Sequence, residues 1–368
     1  MAATDIAASL GVARQALLAY VDPWIGRSLG DLGALRDLRL DGNRLLASIT
    51  LPVPVGDYRT ELEDALSAVL AAAGLPVALQ LQLTADIAAH AVQKTLKPLE
   101  QIRNVIAVAS GKGGVGKSTV AVNLALTWAA AGARVGLLDA DIYGPSQPLM
   151  LGLTGQRPTS ADGKRIQPLL AYGVKAMSIG MLIDPDQPMV WRGPMVTQAL
   201  TQLLSDTDWG ELDFLVVDMP PGTGDIQLTL AQRVPVAGAV IVTTPQDIAL
   251  ADARKGLKMF DKVAVPVLGI VENMSLHVCS KCGHEEAIFG EGGGERLAGE
   301  CGTLFLGKLP LDARIRAEAD GGRPTAVAAP DSARGRAYRD LARRTAAALA
   351  LRGRDRSSLF PKIVVEET

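Results

Sequence analysis

The chain is poor in most of the residues that carry chemistry. It has three cysteines and three histidines in 368 residues, and aromatic residues make up only 4%. Cys279, Cys282 and Cys301 are too few for a disulfide framework, so the thiols are expected to stay reduced and available to a metal. The shortage of aromatics weakens any case for base stacking. A net charge of −2 removes the electrostatic case for bulk nucleic-acid binding. No apolar run reaches the roughly 18 residues of a membrane span. The best candidate, Ala65 to Leu83, is broken by Gly74, Pro76 and Gln80. The N-terminus carries Asp5 early and has no basic n-region, so it reads neither as a secretory signal nor as an Arg-rich transit peptide. The expectation is a cytoplasmic protein that partners neither nucleic acid nor membrane.

What is abundant is core. Hydrophobic residues make up 48% of the chain and charged residues 21%, a globular balance, and the length allows two or three domains. Residues 1–92 read as a small α+β domain. It has a helix over Asp5–Tyr20, a strand over Asn43–Val53, and a second helix over Tyr58–Ala73 that Gly74 ends. Residues 93–102 read as a polar linker containing Lys97-Pro98. Residues 103–352 alternate strand and helix, with apolar strand candidates at Val105–Ala109, Val135–Asp139, Val174–Ile179, Phe214–Asp218, Val240–Thr243 and Val267–Val271. That is the pattern of an α/β fold, a mainly parallel sheet flanked by helices. Residues 353–368 read as a loosely ordered tail.

Gly111-Lys112-Gly113-Gly114-Val115-Gly116-Lys117-Ser118, followed by Thr119, fits the phosphate-binding pattern G-x-x-x-x-G-K-[ST]. It lies between a buried-strand pattern and an Ala/Leu-rich helix pattern, as a P-loop NTPase requires. Glycines let successive backbone N–H groups turn inward on an anion, and the helix N-terminus adds its dipole. Lys117 is expected at the β/γ-phosphates and the Ser118 hydroxyl on Mg²⁺. Lys112 is a second lysine that an ordinary phosphate loop does not need. It reads as a charge supplied in trans to a nucleotide held by a second copy, or as a solvated loop lysine.

Two further strands end in carboxylates. Asp218 closes Phe214–Asp218 and is expected to support Mg²⁺ through water. The loop after it, Met219 to Asp225, is placed to sense a γ-phosphate. Asp139 and Asp141 follow Leu137-Leu138, Asp139 as further Mg²⁺ support and Asp141 as orienter of the attacking water. Each carboxylate is also readable as a cap or turn residue. Asn273, after the strand ending at Val271, offers an amide donor and acceptor suited to a purine edge, or is a plain turn asparagine.

Cys279-Ser280-Lys281-Cys282 brings two thiols close enough to share one metal or cluster. A [4Fe–4S] cluster normally wants four thiolates, and two chains about a two-fold axis supply them. A local zinc site with His277 and His284, a redox dithiol and an exposed turn stay open. Cys301 reads as an isolated buried thiol and His90 as structural.

Taken together, these motifs resemble a known group. The loop with its extra Lys112 is similar to the deviant phosphate loop of the MinD/ParA/nitrogenase-iron-protein ATPases. Trp191-Arg192-Gly193-Pro194-Met195, Asp218 to Asp225, Thr244-Pro245-Gln246-Asp247, Val271-Glu272-Asn273-Met274-Ser275, the cysteine pair and Ile288 to Gly293 resemble the Mrp/ApbC iron–sulfur cluster carriers. The resemblance covers about Arg103 to Pro330. It implies an ATPase that holds a labile [4Fe–4S] cluster at a homodimer interface and passes it to apo iron–sulfur proteins, with scaffold proteins of cluster assembly as further partners. Under it, Lys112 matches the signature lysine, Lys117 the loop lysine, Asp141 the water-orienting aspartate, and Cys279 and Cys282 the cluster ligands. Val21-Asp22-Pro23 and Leu29 to Gly33 give the N-terminal domain the look of the small iron–sulfur assembly domain. It departs from that pattern in having no cysteine, which points to partner docking. Two rivals remain. A ParA/MinD-type positioning ATPase would attach to membrane or DNA, for which the basic segment Ala337–Arg354 is a candidate, but that segment reads better as a packed terminal helix with a solvated face, and this rival has no use for Cys279 and Cys282. An electron-transfer ATPase keeps its cluster.

Overall fold

The computed structural model describes residues 3–160, 163–182, 193–279 and 281–353. Trp191, Arg192, Ser280 and the tail 354–368 therefore lie outside the described residues.

Eight strands form the main sheet: β1 (Val105–Ala109), β2 (Val135–Asp139), β3 (Leu169–Ala171), β4 (Val174–Ser178), β5 (Phe214–Asp218), β6 (Gly238–Thr243), β7 (Val267–Glu272) and β8 (Phe305–Lys308). Their order is β8-β7-β6-β1-β5-β2-β4-β3, parallel throughout except that β3 runs antiparallel to β4. β1, β2 and β5 are buried at every residue, which is why they read as unbroken apolar runs rather than alternating ones. β1 lies at the centre and β5 separates it from β2, so the loops after all three converge at one end of the sheet. Ligands bind in open α/β folds at that carboxyl edge. The expected strand Val174–Ile179 stops at Ser178, because the Ser178 hydroxyl accepts from Gly180 N at 3.1 Å and turns the chain into a short 3₁₀ helix.

The N-terminal domain is a three-stranded sheet, Leu35–Asp41, Arg44–Leu51 and Ala78–Ala85, with helices Ala3–Ala19 and Arg59–Ala72. The helix Arg59–Ala72 buries Leu62, Leu66 and Leu70 at helical spacing and ends before Gly74, whose φ of +80° suits glycine. Asp22 is fully buried. It organises the turn after it by accepting from the backbone N–H of Trp24 and Ile25 and from the Tyr58 hydroxyl, each at 2.9 Å.

The domain does not hang on a free tether. Its apolar core runs without break into the one beneath the phosphate-loop helix Lys117–Ala130 and the C-terminal helix Ala333–Ala350. The expected polar linker is likewise built in. Gln93 is buried, donating to the carbonyls of Ala231 and Val234 and accepting from Val236 N. His90 packs its ring nitrogen Nδ1 2.9 Å from Asn104 Oδ1.

The basic stripe of the C-terminal helix holds the two domains together. The Arg343 guanidinium lies 5.2 Å from the Trp24 ring centre and 4.9 Å from that of Tyr58, and it pairs with Glu61 at 2.7 Å and Asp57 at 3.3 Å. Arg339 pairs with Asp57 at 3.1 Å, and Arg344 lies over Trp24 at 5.9 Å. The helix is packed, as expected, and these charges are used inside the molecule rather than left on a solvated face. Replacing Arg343 by Ala removes the stacked cation and both ion pairs. It is expected to cost about 1–3 kcal/mol and to speed tryptic cleavage between residues 86 and 102, read by limited proteolysis.

Candidate functional site

The glycine-rich loop leaves β1 at Ser110 and enters the helix at Lys117, wrapped so tightly that two of its glycines are obligatory. A Cβ on Gly111 would lie 2.2 Å from the carbonyl carbon of Asp252 in the helix Asp247–Lys262. Gly116 has φ of +80°, and a Cβ there would lie 2.2 Å from Asn273 Nδ2. Gly114 also takes a positive φ, +81°, while Gly113 and Gly114 leave open space above them. The loop's outer wall is thus bare backbone, the surface a phosphate approaches. Val115 is buried beneath it, and Thr119 sits on the first helical turn, its carbonyl accepting from Asn123 Nδ2.

Lys117 is buried, and its ammonium lies against the Asp218 carboxylate, 3.0 Å from the Ser118 hydroxyl and 4.0 Å from Asp141 Oδ2. Asp218 and Asp139 are register partners on β5 and β2 and are both fully buried. Burial, then repulsion from Asp218, raises the Asp139 carboxyl well above the usual carboxylate range. Burial also raises Asp141, with Lys117 opposing. The Asp139 oxygens take the backbone N–H of Asp141 and Gln147 and the Ser178 hydroxyl, each at 3.1 Å, and so hold the loop after β2.

Gln147 is the residue that sequence reasoning missed. Buried at 1% exposure, it donates to Asp218 Oδ2 at 2.8 Å and to the Ser118 carbonyl at 3.1 Å, and so ties three of the expected site residues together. The only signal for it was its place in a Pro-containing turn shortly after the paired carboxylates. The loop after β5 closes the other side, with Gly222 N donating to the Ser110 carbonyl at 2.9 Å. Lys112 makes no ion pair among the described residues, and its carbonyl accepts from Ser110. Asn273, expected at a purine edge, is buried and donates to the Val115 carbonyl at 2.8 Å. It braces the loop from beneath.

The two cysteines stand on a hairpin in which His277–Val278 pairs with Glu285–Glu286, and Cys279 N donates to the His284 carbonyl at 2.9 Å. The N–H of Lys281, then that of Cys282, points at the Cys279 thiol and holds it below the ordinary cysteine range, which favours the thiolate that binds metal. Cys282 is exposed and Cys279 partly so. His277 sets its Nδ1 3.0 Å from the Leu311 carbonyl, so one ring nitrogen is committed to backbone. Among the described residues no group of three or more His, Cys, Asp or Glu is arranged to hold a metal ion, so the local zinc site finds no support there. Cys301 is not the buried thiol expected. It ends the helix Gly293–Glu300, is exposed, and has Arg254 at 3.7 Å from its sulfur.

A mainly parallel sheet whose central strand feeds a lysine-bearing glycine loop, with aspartates ending the next two strands on one side, defines a P-loop NTPase of the deviant-loop class. The chain belongs to the ParA-type family described as the NUBPL iron-transfer P-loop NTPases, which it matches over residues 101–346. It is 51% identical over 334 residues to the iron-sulfur cluster carrier protein of Escherichia coli K12, covering 91% of this chain and 90% of that one. It is 59% identical over 264 residues to the iron-sulfur cluster carrier protein of Pseudomonas fragi, covering 72% of this chain and 92% of that one. Among solved structures it is similar to a nucleotide-binding protein of Archaeoglobus fulgidus in complex with ADP. The TM-score is 0.55 and the identity 40%, over 61% of this chain and 88% of that one.

The close approach at Gly111 sets a first test of the site. Gly111→Ala pushes its methyl into the backbone of the helix Asp247–Lys262, so it is expected to destabilise by about 1–3 kcal/mol in urea unfolding and to lose ADP binding by fluorescence titration.

Proposed function

We propose that the protein is an ATP-hydrolysing iron–sulfur cluster carrier that assembles a labile [4Fe–4S] cluster between two copies of itself and delivers it to apo-proteins in the cytoplasm. The observation that carries this reading is a hairpin offering two accessible thiols, joined to the segment that braces the phosphate loop through Asn273. Two thiolates make half a [4Fe–4S] site, and a two-fold pairing doubles them. The names of the Escherichia coli and Pseudomonas relatives support a carrier over a cluster-free positioning ATPase. So does the intramolecular use of Arg339 and Arg343. Among the described residues no helix is long and apolar enough to cross a membrane.

The hard oxygen donors fit Mg²⁺. Ser118 would ligate it directly. Asp218 and Asp139 would act through water, since the oxygens of both are already engaged by Lys117, Gln147, Ser178 and backbone N–H groups. Mg²⁺ held there would supply positive charge to offset the negative charge that develops on the transferring phosphate. Lys117 exchanges its carboxylate partner for those phosphates. Asp141, beside Lys117 at the mouth of the loop, orients the attacking water. Asn273 brackets the adenine side while it supports the loop. Lys112, with no ion pair of its own among the described residues, is available to the γ-phosphate of the partner copy. Apo iron–sulfur proteins are the clients, and the cysteine-free N-terminal domain docks them or the scaffold proteins of cluster assembly.

Anaerobic reconstitution with iron and sulfide tests the cargo. The expected result is broad thiolate-to-iron absorbance and about four irons per dimer, both lost in the Cys279→Ala/Cys282→Ala double variant, with ADP binding unchanged. Iron retained by that variant refutes the ligand assignment. Lys117→Ala is expected to abolish ATP hydrolysis. Lys112→Ala is expected to keep ADP binding yet lose about a thousandfold in hydrolysis, the scale of a trans-acting cation. Unchanged turnover in the Lys112 variant removes the trans role.

A further inference from the structure

We propose that the segment Asn273–Cys279 reports the state of the phosphate loop to the thiol hairpin, with Met274 as its positioning residue. This deepens the reading above, taking from it only that the loop binds nucleotide and that the hairpin carries the cargo.

The segment begins in contact with the loop. Asn273 donates its side-chain amide to the Val115 carbonyl at 2.8 Å, and its backbone N–H to Thr243 of β6 at 2.7 Å. Measured from a Cβ placed on Gly116, Asn273 Nδ2 lies at 2.2 Å and Met274 Cε at 3.7 Å. Two consecutive side chains therefore rest against the loop at the point where it turns into its helix. Val115 and Gly116 are the residues whose peptides must settle around a phosphate when one enters the cradle.

Beyond Met274 the segment is anchored again. Ser275 directs both its N–H and its hydroxyl at the Leu309 carbonyl, each at 3.0 Å. Leu309 N returns to the Glu272 carbonyl at 2.9 Å, and Leu311 N to the Leu276 carbonyl at 2.8 Å. His277 adds its ring nitrogen to the Leu311 carbonyl at 3.0 Å, and the next residue but one is Cys279. The stretch from Ser275 to the hairpin is therefore zipped to Leu309–Leu311 and has little freedom to absorb a movement.

Met274 joins the two anchored parts, and its backbone is left-handed, with φ of +57°. Only three non-glycine residues have positive φ among the described residues, and Met274 is the one set against the loop. An L-residue with a long side chain is held there only when its neighbours over-determine it. With Asn273 tied to Val115 on one side and Ser275 to Leu309 on the other, a shift of the Val115 peptide cannot be taken up by free rotation at Met274. It passes along the segment to Cys279. A glycine at this position would rotate freely and absorb the shift.

The test uses the full-length, metal-free, reduced protein, so it is independent of whether a cluster is ever bound. Alkylation of Cys279 and Cys282 by iodoacetamide is followed by peptide mass spectrometry with no nucleotide, with Mg-ADP and with a non-hydrolysable ATP analogue. Cys301 serves as the internal control. In the native protein, nucleotide is expected to change the rate at Cys279 about fivefold or more, the lower end of usual coupling between sites, and to leave Cys301 unchanged. Met274→Gly is expected to bind ADP and to abolish the difference. Met274→Asn, which tolerates the left-handed geometry, is expected to preserve it. The proposal is overturned by a native protein that binds nucleotide with no change at Cys279. It is overturned equally by a glycine variant that keeps the full change, or by an asparagine variant that loses as much as glycine. Failure of iron reconstitution would instead strike the carrier reading and leave this link standing.

Discussion

The structure is organised around one buried ion pair, Lys117 with Asp218. Two neighbouring parallel strands end in aspartates that face each other at zero exposure, an arrangement that like charges resist. The ammonium of Lys117, delivered from the first turn of the helix, offsets that repulsion, and Gln147 and the backbone of the following loop satisfy the remaining oxygens. Buried charge of this kind is costly unless every partner is in place. The site is therefore assembled as a unit, and its readiness for an anion and its internal order have the same source. A phosphate entering the loop competes with Asp218 for Lys117.

The fold gives this pair its setting. The central position of β1 and the insertion of β5 between β1 and β2 bring three strand ends together. The glycine loop, Asp218 and the turn from Asp139 to Gln147 meet there although these three stretches lie far apart in sequence. β6 and β7 continue the sheet on the far side of β1, and Thr243 at the end of β6 holds Asn273 under the loop. The thiol hairpin follows directly, so the glycine loop and the two thiols lie at one edge of the sheet.

Much of this was legible in the residues. Val105–Ala109, Val135–Asp139 and Phe214–Asp218 coincide with observed strands, because a strand buried on both faces between helices must be apolar throughout and a carboxylate marks where it emerges. The edge strands were not legible. Leu169–Ala171 is too short for any period to show, and Phe305–Lys308 contains Gly307 and is half covered. Ala78–Ala85 does alternate Leu and Gln, but it follows a helix so closely that the two merged into one apolar stretch. The site's residue types were readable and its wiring was not. Nothing local tells that Asp139 holds a loop, that Gln147 bridges Ser118 and Asp218, or that Asn273 faces inward. The C-terminal helix read as packed, but its arginines looked like its solvated face because their partners, Trp24, Asp57, Tyr58 and Glu61, come from the other end of the chain. Cys301 read as buried from its glycine-flanked context, and it is exposed because it falls where a helix ends.

The way the N-terminal domain is seated has a consequence for the shape of a pair. Gly56 N donates to the carbonyl of Ala131, the residue that closes the phosphate-loop helix, and a Cβ on Gly56 would lie only 2.9 Å from that backbone. The helix is 14 residues long, so the contact lies about 20 Å from the loop along its axis. Two copies meeting loop to loop would carry these domains at the outer poles of the assembly. A molecule bound to such a domain would sit away from the seam and leave it open.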